Sequence, residues 1–151
     1  MPQAPTDYVR ENEAARADLR RVVAGLSDAD LAHPTHSGWT VAATLAHLAY
    51  WDRRYRLVLE RWERGEVATA EEPDWADDLT NDALLPEWLA LPPQEACRLA
   101  LEAADAVDAL VASLSPGTVA GVMEARRRWL LHRHGHRREH LGEIERAVGP
   151  R

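Results

Sequence analysis

The chain has 151 residues, enough for one domain with a sizeable core, and 46% of them are hydrophobic. A formal charge of −7, with no lysine and eighteen arginines, argues against nucleic acid or an anionic membrane as partner, since either needs a net basic face. Cys97 is the only cysteine, which excludes an intrachain disulfide and suits a reducing cytoplasm, and no apolar run approaches a secretory leader or a membrane span. The expectation is a single soluble cytoplasmic domain over residues 1–151.

In chain order, Thr6 is placed to cap a first helix, in which Tyr8, Ala15, Leu19, Val22 and Val23 recur at helical spacing and which Gly25 ends. The stretch SDAD (27–30) has the form of a capping box and predicts a short extra turn before Pro34. Thr40 is positioned to cap a second long helix, VAATLAHLAYWDRRYRLVLERWERG, which Gly65 stops. Its buried stripe runs through Val41, Leu45, Leu48, Trp51 or Asp52, Tyr55 and Leu59. The acidic stretch 66–82 reads as a long loop, and 83–90 as a short helix ending before Pro92-Pro93. Residues 94–114 predict a third long helix ended by Pro116-Gly117, and a fourth is expected from about Thr118 to Val148. Few stretches alternate as a strand would. The pattern predicts an all-α fold, a four-helix bundle.

The fourth helix carries four of the seven histidines within nine residues. Residues four apart share a helix face, so His136 and His140 can present two imidazoles to one ion, as can His132 and His136. His134 points elsewhere and reads as solvated. The interior stripe is expected through Trp129, Leu130, Leu141, Ile144 and Val148. A histidine-rich exposed face with no ligand is the plain alternative. His47 bears on the choice: it sits in the second helix among Ala43, Thr44, Tyr50 and Trp51, where a buried imidazole needs a partner. Three neutral imidazoles that leave an open position form a catalytic zinc pattern. HRREH (136–140) also spells the inverted zincin signature, but its third ligand lies much farther along such chains, and eleven residues follow His140 here.

LSDADLAHPTHSGWTVAATLAHLAYWDRR together with HRREHLGEIERAV resembles the DinB/YfiT-like superfamily, and within it the metal-binding N-terminal domain of mycothiol-dependent maleylpyruvate isomerases. The resemblance spans nearly the whole chain, through the GWT turn, the HLAYWD helix centre and HxxxHxGEI, where the family usually shows HxxxHxGQI. It implies an up-down-down-up four-helix bundle and a metal triad of His47, His136 and His140, the same pairing that helix spacing suggests. The isomerase branch typically has Glu where this chain has His136, and it carries a C-terminal extension with no counterpart here. The resemblance therefore speaks for the fold and the metal more than for maleylpyruvate.

A divalent ion on this triad, zinc first and nickel or iron next, lowers the pKa of bound water or holds a thiol as thiolate. His132 is the reserve ligand. Glu143, one turn beyond His140, is the candidate catalytic group, as general base or as a partner to the His140 ring; a solvent-facing charge is the plainer reading. Glu139 reads as surface. Trp51 and Trp129 are candidates for the pocket wall, or for the core. Arg54, with Arg53 and Arg126 to Arg128, is a candidate for gripping the carboxylates of a thiol cofactor or an organic acid. His33 and His36 read as solvated loop residues, one of them within reach of the pocket mouth. Two functions follow: a thiol-dependent transferase or isomerase acting on a small electrophilic substrate, or a metal or small-molecule binding protein without turnover, such as a sequestering resistance protein. Abundant alanine on the third long helix further suggests a homodimer.

Overall fold

The computed structural model describes residues 4–36, 38–66 and 74–150. Seven α-helices are present among them: α1 (Ala4–Ala24), α2 (Asp28–Ala32), α3 (Val41–Glu63), α4 (Asp74–Ala90), α5 (Pro93–Ser113), α6 (Pro116–Glu124) and α7 (His134–Val148), with a 3-10 turn at Arg128–Leu130. The expected bundle is formed by α1, α3, α5 and α7. Contacts across it fix the directions. Arg138 of α7 meets Glu11 and Arg21 of α1 meets Glu145, so α1 and α7 run parallel. Arg20 pairs with Asp105 and Arg16 approaches Asp108, which makes α5 antiparallel to α1. His47 meets His136 and Asp52 meets Arg133, so α3 opposes α7, and Glu63 takes the backbone N–H of Ser115 just beyond the parallel α5. The order is up-down-down-up.

Several local signals act as their chemistry requires. Ser27 and Asp30 close a reciprocal capping box on α2. The Thr40 hydroxyl accepts the Ala43 N–H at 3.1 Å, and Gly65 leaves α3 at φ +80°. Alanines on the facing sides of α3 and α5, Ala42, Ala43 and Ala46 with Ala96, Ala100 and Ala104, lie in one buried cluster. That part of the small-residue surface, which suggested self-association, is used inside the chain.

Three expectations are corrected. Thr6 lies inside the first turn of α1, which begins at Ala4, and does not cap it. The long loop expected over 66–82 gives way at Asp74 to α4, which runs to Ala90 through Pro86; 67–73 lie outside the described residues. Asp77 and Asp78 stand in the first turns of that helix, where the helix dipole favours negative charge, so acidity marks a helix start here. The expected 118–148 helix is three pieces, and Pro116 starts α6 as well as following α5. Arg126 adopts φ +58°, and the Arg127 N–H returns to the Val122 carbonyl at 3.0 Å. This helix end usually employs glycine, so an arginine gives no warning of it. Helix α7 then starts afresh. The buried Asn12 of α1 accepts the His134 N–H at 2.9 Å and donates to the Leu131 carbonyl at 2.7 Å, capping α7 from another helix.

Candidate metal centre

His47 points from the middle of α3 into the bundle and is 5% exposed. Its Nε2 lies 2.9 Å from Nε2 of His136, which in turn lies 3.2 Å from Nε2 of His140. The three residues form the group among the described residues whose ligand atoms come close enough together to hold one ion. Nitrogens at about 2.0–2.1 Å from a tetrahedral ion stand about 3.3 Å apart, so the observed spacing is that of a ligand set.

The surroundings keep the His47 and His136 rings uncharged. Burial, then the neighbouring His140, pushes His47 down to about 3. Burial, then the Arg133 guanidinium, holds His136 well below the usual histidine range. A neutral imidazole offers the lone pair that a metal needs.

The second nitrogens of the three rings differ in what they meet. His140 Nδ1 lies 3.0 Å from Glu143 Oε2, so the carboxylate takes the Nδ1 hydrogen and turns the Nε2 lone pair toward the other rings. His136 Nδ1 accepts from the Arg133 guanidinium at 3.3 Å. The neutral His136 ring then carries its hydrogen on Nε2, between the other two rings, in the position that an ion would claim. His47 Nδ1 is buried with no hydrogen-bond partner. The Asn81 amide is near enough to favour a charged His47, but its oxygen is engaged by the Trp51 indole N–H at 2.9 Å and no well-formed bond to His47 exists. Three converging nitrogens fit a divalent cation, whose binding would displace the His136 Nε2 hydrogen.

Around the triad stand Trp39, Trp51 and Trp88, with ring centroids 5.2, 6.4 and 5.3 Å from His47. His36 stacks on Trp39 at 5.2 Å and its Nδ1 comes 3.6 Å from the Glu143 carboxylate, so of the two loop histidines it is the one that reaches the site. His33 bonds the neighbouring Pro34 carbonyl instead.

Other candidates are placed elsewhere. Trp129, expected in the interior stripe, sits in the 3-10 turn and is 45% exposed. His132 precedes α7, against Tyr8 and away from the triad. His134 is only half-buried and pairs with His132. Arg54 lies over the outer side of Trp51 at 5.7 Å and lines, with Tyr50, Arg53 and Leu57, a groove of about 260 Å³ along α3 that contains none of the three histidines. Arg127 is buried, whereas Arg126 and Arg128 are exposed. Glu139 is exposed, as expected.

Sequence reasoning missed Arg133, Asn81, Trp39 and Trp88. Arg133 is three residues before His136, and its Nε donates to Asp52 Oδ1 at 2.9 Å, so the buried Asp52 in the α3 stripe was the available signal. Asn81 and Trp88 lie on α4, half of which reads as loop.

The family model of the DinB superfamily matches residues 11–144, and the chain belongs to that superfamily. No curated protein and no solved structure matches it. Among the described residues, no single helix is long and apolar enough to cross a membrane.

Proposed function

We propose that this DinB-superfamily protein binds one divalent ion, zinc foremost, through His47, His136 and His140, and uses it in a thiol-dependent transfer or isomerisation of a small electrophile. The convergence of the three Nε2 atoms carries this reading. When bound, such an ion supplies a nucleophile at neutral pH, a thiolate or an ionised water. The protein's own groups would do the rest. Glu143 fixes the His140 ring through Nδ1 and stands close enough to hold a proton released at the site, with His36 Nδ1 3.6 Å from its carboxylate. Trp39, Trp51 and Trp88 keep bulk water from the reacting end.

A second reading, binding without turnover, is favoured by one observation. The His47 side of the triad is packed under Trp39, Trp51 and Trp88, all buried. One experiment separates the two. Purified protein is analysed for metal, then incubated with low-molecular-weight thiols and a panel of small electrophiles. Metal-dependent loss of thiol supports the enzyme, stoichiometric metal with no turnover supports the binder, and absence of any tight metal site overturns both.

A further inference from the structure

The crowding of histidines before and within α7 is only half accounted for by the triad. His136 and His140 face α3, whereas His132 and His134 turn toward α1. There the Nδ1 of His132 and the Nε2 of His134 come within 3.4 Å, with the rings tilted at 58° and their centroids 5.6 Å apart. Neither ring is free to wander. His132 packs on the buried Tyr8 ring at 5.2 Å, and the backbone of His134 is pinned by Asn12.

We propose that His132 and His134 form a second, weaker site for a divalent transition-metal ion, separate from the triad. Two imidazole nitrogens at this spacing match one edge of a tetrahedral coordination shell, for which about 3.3 Å is expected. Glu11 of α1 is held by Arg138 at 3.1 Å, so the chain supplies the two imidazoles and solvent would complete the shell. Imidazole ligands suit zinc, nickel, copper or iron rather than calcium or magnesium. The positive charges of Arg128 and Arg138 oppose a cation here, which is why the affinity falls below that of the triad.

The inference leans on the triad only for contrast, and the test keeps the two apart. Metal-free full-length protein is titrated calorimetrically with zinc. Wild type should take up two ions in two phases; His134→Ala should lose the weak phase and keep the tight one; His47→Ala should do the reverse. In a His47→Ala/His136→Ala protein loaded with one equivalent of copper(II), the paramagnetic resonance spectrum should show coupling to two nitrogens, and His134→Ala should remove it. Where His47→Ala proves unfolded by circular dichroism, His132→Ala gives the same decision, by abolishing only the weak phase. A single phase in wild type that His134→Ala and His132→Ala leave unchanged, or a residual site in His47→Ala that survives His134→Ala, overturns the second site. Loss of the tight phase alone in wild type would instead overturn the triad.

Discussion

Two polar clusters are buried within about one helical turn of each other between α3 and α7, and they are built on opposite principles. The first is ionic. Arg137 is 0% exposed, yet its guanidinium donates to both oxygens of Asp108 at 2.7 and 2.8 Å and to Asp52 at 3.2 and 3.3 Å. It also reaches the Asn12 carbonyl. Arg133 completes the set on Asp52 and donates to the Trp129 carbonyl. Two guanidiniums face two carboxylates, the charges cancel, and the Arg137 charge is held more firmly than in water: burial alone would lower its pKa, but Asp52 and Asp108 raise it. The second cluster is the histidine triad. It holds three rings aimed at one point, with His47 and His136 kept neutral by burial and His47 Nδ1 left over. Complete satisfaction belongs to architecture, tying α1, α3, α5 and α7 together. Incomplete satisfaction at converging donors belongs to a ligand.

The largest expected effect follows from the ionic cluster. Arg137→Met strands Asp108 and half of Asp52 in the core, and should destabilise the protein by about 3–5 kcal/mol in chemical denaturation. Should the loss be under about 1 kcal/mol, solvent reaches this cluster and the contrast with the triad fails.

Next is the metal. At an ion concentration a hundred times Kd, the wild-type midpoint should rise by the equivalent of about 2.7 kcal/mol. His47→Ala and His140→Ala should lose this increment from the triad. His134→Ala should keep it. Stoichiometric binding of unchanged affinity in His47→Ala would remove the cross-helix triad.

The metal-free protein should also separate the clusters by pH. His47 has a folded-state pKa depressed from 6.5 to about 3, so between those limits the unfolded chain binds more protons. Its contribution is intact above about 6.5 and is lost as pH falls toward about 3, near 2 kcal/mol at pH 5. His136 acts in the same direction. Denaturation midpoints followed from pH 8 to 5 should fall in wild type and fall less in His47→Leu. Equal slopes would show that His47 is not the ring being protonated.

Much of this was legible because helix periodicity and caps are local properties. Thr40, Ser27 and the His47–His136–His140 spacing can be read without a fold. Partners set by packing cannot. Asp52 was visible only as an ambiguous stripe position beside Trp51, since nothing local says that it meets Arg133 and Arg137, more than eighty residues away. The start of α4 was hidden because aspartates at a helix N-terminus look like loop composition. The break before α7 was hidden because its signal is a conformation of Arg126, supported by a cap from α1. Asn12→Ala should test that cap at a cost of about 1–2 kcal/mol, with α7 protection from hydrogen exchange reduced more than that of α5. Uniform loss of protection would mean that Asn12 serves the whole bundle.

The smallest effect has the opposite sign. Arg126 holds φ +58°, where an L side chain crowds its own carbonyl at a cost of about 1–2 kcal/mol. Its side chain is exposed, so removal costs little packing. Glycine removes the strain but frees the unfolded chain, at about 0.5–1 kcal/mol. The balance favours Arg126→Gly by roughly 0.5–1 kcal/mol. Denaturation midpoints should therefore rise slightly while zinc affinity at the triad stays unchanged, because the turn sets where α7 begins and the histidines follow from Asn12 onward. A destabilised Arg126→Gly protein would mean that the Arg126 side chain holds the turn through contacts of its own. A changed zinc affinity would mean that the turn's strain is transmitted along α7 to His136, and that the two polar clusters are less independent than their bonding implies.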